Sequence, residues 1–182
     1  MIVRPTTDRD LTAVLDAHRR AFGADQGQEI VDLVRDLLND QTAMPVLSLA
    51  AVADAGIVGH VLFTAVSVQG SEEQAVARIL APLPVLPEHQ RKGVGGALIK
   101  EGLKRLADAG VELVFVLGDP AYYGRFGFSP AGVLGLEATH PIPAEYEDAW
   151  MTQALAPDVL GRVRGRVRCA DVLNEPRHWL SE

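Results

Sequence analysis

The chain is short of several things that would each have pointed to a function. It has one cysteine, Cys169, in 182 residues, so no disulfide can form within it, and with scattered histidines it offers no zinc-ligand cluster of workable spacing. Basic residues are the minority, 17 against 24 acidic ones, for a formal net charge of -7. A general nucleic-acid binder draws its affinity from neutralising phosphates, so nucleic acid is not an expected partner, and a cationic substrate such as an amine is left open. No run of about 18 apolar residues exists to span a bilayer, and Met1-Ile2-Val3-Arg4-Pro5 is not followed by an apolar signal core. No membrane association and a cytoplasmic location are therefore expected. No G-x-S-x-G elbow is present. At 182 residues the chain suits a single domain.

What is present is a glycine-rich turn in a telling context. Leu83-Pro84-Val85 ends an apolar run from Val76, Pro87 sits in a turn, and Gln90-Arg91-Lys92-Gly93-Val94-Gly95-Gly96 leads into an amphipathic pattern reaching Asp108. A helix N-terminus offers unpaired N–H groups and the positive end of a dipole. Gly93 and Gly95 allow close approach of a ligand, and Arg91 and Lys92 add charge. The spacing excludes a dinucleotide fingerprint, because Leu98 stands where the third glycine belongs, and excludes a P-loop, which needs Gly-Lys-Ser/Thr. Pro82 and Pro84 cannot donate to a ladder, so they mark a bulge or a place where strands part. A parting would leave Leu83 between them, and Val85 next, with N–H groups available to a ligand.

The remaining elements follow from periodicity. Ile2–Pro5 reads as a strand. A helix carries Leu11, Val14, Leu15 and His18 and closes at Phe22-Gly23. A second carries Ile30, Leu33, Val34, Leu37 and Leu38, with Gly23 to Gln28 expected as a mobile connection. Strands over 46–52 and 57–68 form a hairpin about Asp54-Ala55-Gly56. Val111–Leu117 is a strand covered on both faces and parallel to the one before the glycine turn, closing a right-handed strand–helix–strand unit. Asp119-Pro120 starts a short helix that Gly127 stops. Glu145–Leu155 reads as a short helix. Gly161–Cys169 alternates as a half-buried strand with Arg162, Arg164, Arg166 and Arg168 on its polar face, read as a solvated face rather than a phosphate site.

Two signatures together suggest a family. The Q-x-x-G-x-G run after V-x-P resembles the coenzyme A pyrophosphate loop of the GNAT-type N-acetyltransferases, and Tyr122-Tyr123-Gly124-Arg125-Phe126-Gly127-Phe128 resembles their F-Y-x-x-x-G-F signature. The run Leu117–Phe128 is similar to that of the YhbS-like branch. The resemblance covers roughly residues 45 to 130, leaving about 131–182 as a C-terminal extension of one GNAT domain. It implies an α/β fold with a mixed, splayed sheet and helices on both faces. It also implies acetyl-CoA as acyl donor, held by Leu83, Pro84, Val85 and Gln90 to Gly96 (Gln90, Arg91, Lys92, Gly93, Val94, Gly95 and Gly96). The helical pair would line the side of the acceptor, a primary amine of a small molecule or a protein; a homodimer is compatible with it. By motif position Tyr123 is the acid that protonates the leaving thiolate. No strand carboxylate offers itself as base, which leaves Glu72, Glu73, His60 and ordered water. The rival reading is a domain of this shape that binds acyl-CoA, or a partner, without turnover.

Overall fold

The computed structural model describes residues 1–179. A nine-stranded mixed sheet runs through it: β1 (Ile2–Pro5), β2 (Leu47–Ala53), β3 (Gly56–Gln69), β4 (Ala77–Leu80), β5 (Leu113–Leu117), β6 (Ser129–Pro130), β7 (Leu136–Glu137), β8 (Trp150–Ala154) and β9 (Gly165–Arg168). The main path is β1-β2-β3-β4-β5-β8-β6, and β9 joins the far end of β3 together with β7. All neighbours are antiparallel except β4 with β5 and β7 with β9. Helix α1 is Leu11–Leu38, α2 is Val94–Asp108 and α3 is Pro120–Tyr123.

The alternation along each strand assigns the two faces. Leu49, Val61, Phe63, Leu80, Val114 and Val116 pack against Val94, Leu98, Ile99 and Leu106 of α2. Leu62, Ile79, Leu113 and Phe115 pack on the other face with Leu33 and Leu37 of α1. Helices therefore cover both faces, as expected. Close packing under α2 depends on glycine. A Cβ on Gly102 would overlap the Phe63 ring, and one on Gly59 would lie 2.9 Å from Val94 Cγ1.

Three local expectations are corrected. The connection between the two N-terminal helices is not an irregular loop. Residues 24–28 are helical, and α1 bends at the single residue Gly23, whose φ of 77° suits glycine. The second arm returns close to the first, so that a Cβ on Gly27 would come within 2.9 Å of the Arg19 carbonyl oxygen. The strand expected from Val76 to Val85 is regular only over β4. Beyond it the prolines interrupt the ladder. The stretch read as a helix over Glu145–Leu155 contains a 3-10 turn at Ala144–Ala149 and then β8. Long-range pairing with β5 overrides the polar lead-in, and the Trp150 ring stacks on Phe115 at 5.2 Å.

The strand expected over Gly161–Cys169 is regular only over β9, which carries Arg166 and Arg168 and pairs with Ser67–Gln69 at the end of β3 remote from the glycine turn, while Arg162 and Arg164 precede it. All four arginines are exposed. Arg162 pairs with Glu73 and Glu112, Arg166 with Glu137 and Arg168 with Asp171. This agrees with a solvated, charge-paired face.

Candidate active site

The parting of strands occurs between the segment after β4 and β5. Pairing of β4 with β5 ends at Leu80 and Val116, while residues 81–86 stay attached to β3. The Leu62 and His60 N–H groups donate to the carbonyls of Pro82 (3.3 Å) and Pro84 (3.0 Å), and Leu86 N–H donates to Val58 (2.9 Å). Pro82 and Pro84 thus occupy the positions that face β3, where their missing N–H groups forfeit two ladder bonds but their carbonyls still accept. By antiparallel alternation the N–H groups of Leu83 and Val85 point the other way, toward the gap that β5 has left. Among the described residues no acceptor meets either one.

The glycine turn is built to end beside this gap. The Gln90 side-chain amide donates to the Val85 carbonyl at 3.0 Å, tying turn to strand segment. Arg91 and Gly93 both adopt left-handed conformations, with φ of 62° and 81°. Gly93 is the N-cap of α2, and its carbonyl accepts the first helical bond, from Ala97 at 3.0 Å. The first-turn N–H groups of Val94, Gly95 and Gly96 are therefore open to a ligand. Of these, Gly95 and Gly96 also serve packing. A Cβ on Gly95 would overlap the Tyr122 hydroxyl, and one on Gly96 would lie 3.0 Å from the Phe126 ring.

Opposite stands the aromatic helix. The Asp119 carboxylate accepts from Ala121 N–H at 2.9 Å, and Pro120 fills the first helical position. Tyr122 meets Tyr123 edge-on at 5.0 Å and Phe126 at 5.3 Å, and Tyr123 meets Phe128 at 5.8 Å. The Arg125 guanidinium lies 5.0 Å over the Tyr122 ring. Burial pushes both tyrosine hydroxyls above the usual phenol range, Tyr123 by more. Both remain protonated near neutral pH.

These parts enclose one cleft of about 840 Å³. Of the residues expected from sequence, Leu83, Val85, Gln90, Arg91, Gly93, Val94, Gly95, Gly96 and Tyr123 line it. Pro84 and Lys92 do not: Pro84 faces β3, and the Lys92 side chain is exposed beside the opening. The structure adds His89, Ala97, Lys100, Tyr122, Arg125 and Phe126. Lys100 belongs here because it lies about two turns along α2 from the N-cap, a spacing visible in the sequence once the helix start is fixed. Arg91, Lys100 and Arg125 give the cleft a cationic rim. The candidate bases do not enter it. Glu72 is exposed outside the cleft, Glu73 pairs with Arg162 at the remote end of the sheet, and His60 is buried within its own hydrogen bonds.

The family model described as "Acetyltransferase (GNAT) domain" matches residues 2–131. The uncharacterized N-acetyltransferase YjhQ of Escherichia coli K-12 is 42% identical over 91% of this chain and 90% of its own length. The structure of the GNAT family N-acetyltransferase YhbS from E. coli in complex with CoA superposes with a TM-score of 0.83 at 34% identity, covering 96% of this chain and 92% of that one. A GNAT family acetyltransferase from Brucella melitensis in complex with acetyl-CoA gives 0.73 at 30% identity, covering 94% and 97%. Among the described residues no helix is long and apolar enough to cross a membrane.

Proposed function

This chain belongs to the GNAT acetyltransferase family, and from that premise we infer that it transfers the acetyl group of acetyl-CoA to a primary amine by direct attack. The observation that carries this reading is the cleft itself, in which two outward N–H groups, an open helix N-terminus with a cationic rim, and a protonated tyrosine converge. Relatives crystallised with CoA and acetyl-CoA support the choice of donor. The donor supplies an activated carbonyl and a thiol leaving group.

The chain's own groups divide the work. The N–H groups of Val94, Gly95 and Gly96, with Arg91, Lys100 and Arg125, hold the donor's phosphates at the positive end of α2. Lys92, just outside, adds to the local positive potential. Leu83 and Val85 donate from the splayed segment, one of them to the thioester oxygen as charge develops on it. Pro84 and Gln90 act indirectly: the first turns these donors outward, and the second pins the turn. Tyr123 keeps its proton at neutral pH and donates it toward the departing sulfur.

The reading takes the chain as one cytoplasmic acyltransferase domain including its C-terminal part, with a small-molecule or protein amine as acceptor. A net charge of -7 suits such a cation and disfavours nucleic acid. Thiol release from acetyl-CoA against a panel of amines tests it. Release with one amine class establishes the enzyme and its acceptor class; tight donor binding with no release from any amine supports a non-catalytic acyl-CoA-binding module instead.

A further inference from the structure

An alkyl ammonium must lose a proton before it can attack, and the imidazole that lines the cleft, His89, belongs to the Pro87–His89 turn that leads into the glycines assigned to the donor's phosphates. A buried chain of side chains linking α1, β3 and β2 has the form required. His18, in the first arm of α1, and His60, in β3, are fully buried. His18 Nε2 lies 2.9 Å from His60 Nδ1, and His60 Nε2 lies 2.7 Å from Ser48 Oγ. The Thr6 hydroxyl donates to Ser48 Oγ at 2.7 Å. Thr6 and Ser48 line a second cavity, of about 400 Å³, between the sheet edge and the two ends of α1. At the other end His18 Nδ1 is buried without a hydrogen-bond partner.

The chain has a direction in the fold. The first arm of α1 carries Val14 at the second cavity and Arg20 in an ion pair with Glu88 at 2.6 Å, two residues beyond Leu86. His18 lies between them. The backbone N–H of His60 donates to Pro84, whose neighbours Leu83 and Val85 are the outward donors. The chain therefore runs from the second cavity inward to His18 Nδ1, and the His60 backbone ties it to the splayed segment.

Burial lowers the proton affinity of both imidazoles and keeps them neutral; each also lies against the other. A histidine that kept the proton here would become an imidazolium in an apolar interior. One whose other nitrogen passes a proton on, as His18 can to His60 and His60 to Ser48, stays neutral. Proton passage requires a starting set in which His18 Nδ1 is bare, His18 Nε2–H donates to His60 Nδ1, His60 Nε2–H donates to Ser48 Oγ, and the Ser48 proton points into the second cavity. A proton reaching His18 Nδ1 displaces each of these protons one place along. One proton enters, one leaves Ser48 Oγ to water, and both rings end neutral in the other tautomer. Exchange with solvent between turnovers restores the starting set.

We propose that His18, His60 and Ser48, with Thr6 orienting the serine, form the exit path for the acceptor amine's proton, received from the ammonium through a water and released into the second cavity. The proposal rests on the acetyl-transfer reading. The charged groups about the path are Asp8 and Arg35 at the second cavity, the Arg4–Asp10 pair near Thr7, and Arg20–Glu88 at the other end; among the described residues none is hydrogen-bonded to either imidazole.

The test compares wild type, Ser48→Ala, Ser48→Thr and His18→Gln, each checked for folding by circular dichroism, with a primary alkyl amine as acceptor across pH. The expected result is a kcat lowered about a hundredfold at pH 7 in Ser48→Ala and His18→Gln, with the KM for acetyl-CoA unchanged. The deficit should close as pH approaches the amine's own value, near ~10, where free amine needs no proton acceptor. Ser48→Thr should restore most of the rate. Wild-type kcat in both variants at pH 7, or a deficit equal at every pH, would overturn the path while leaving acetyl transfer intact. Wild type releasing no thiol with any amine would instead remove the reading beneath it. Nitrogen-15 spectra of the histidines separate the two independently: an imidazolium at His18 or His60 at pH 7 refutes the path whatever the activity.

Discussion

Gly93→Ala isolates the anion-binding end of α2 from the rest of the fold. Gly93 holds φ at 81°, and a Cβ there would meet nothing within 4 Å, so the substitution acts through backbone strain alone. An alanine in this region costs about 1–2 kcal/mol. Part of that is offset by the stiffer unfolded chain, roughly 0.4–1 kcal/mol. The net loss is then about 1 kcal/mol, or a melting temperature lower by about 2–4 °C for a chain of this size. Gly56, in the β2–β3 turn, has φ of 108° and equally open surroundings, so Gly56→Ala should cost about the same. The two differ in what the strain distorts. At position 93 it turns the first-turn N–H groups of α2 away from a bound anion, an interaction worth about 1–2 kcal/mol in favourable geometry. Calorimetric titration should therefore show acetyl-CoA binding weakened roughly five- to thirtyfold in Gly93→Ala and unchanged in Gly56→Ala. Equal affinities in the two variants would refute the role assigned to the turn.

Three further outcomes follow from other contacts. Tyr123→Phe keeps the ring packing against Tyr122 and Phe128 and removes only the hydroxyl, so kcat should fall about a hundredfold with the acetyl-CoA affinity preserved, as read by steady-state thiol release beside titration. Gly102→Ala gains up to about 1 kcal/mol in helix propensity but drives a methyl into the buried Phe63 ring. Overpacking costs about 1–3 kcal/mol, so calorimetry should find a lower melting temperature, and a higher one would contradict the packing described. The carboxyl of Asp10 is held well below the usual range by the Arg4 guanidinium, at 2.8 and 3.0 Å, and by Thr7 N–H. Its stabilisation is therefore present above its unfolded value near ~4 and lost as pH falls below that. Asp10→Asn should lower the melting temperature at pH 7, with the gap to wild type narrowing below about pH 4 on a thermal melt series.

The parts of the site that could be read ahead were those coded by local chemistry. A glycine that must turn left-handed, a proline that cannot donate, and an Asp-Pro helix start each act within a few residues, so Gly93, Pro82, Pro84 and Asp119 could be placed from their neighbours alone. What escaped was set by distant partners. Trp150–Ala154 is a strand because β5 has an open edge for it, and nothing within Glu145–Leu155 announces that edge. Arg125 joins the cleft through the turn of α3 and its contact with Tyr122, and His18 meets His60 across 42 residues of sequence. The role of Gln90 also required coordinates, since its amide reaches back to Val85 rather than outward. Gly95 shows the same limit: its smallness lets a ligand approach, and it also seats the Tyr122 hydroxyl.

Where the donor lies is the central point to measure. Hydrogen exchange of the backbone amides, with and without saturating acetyl-CoA, reads that position residue by residue. Slowed exchange at Leu83 or Val85 together with Val94, Gly95 and Gly96 is the predicted result. Binding that leaves all five amides unchanged would contradict it.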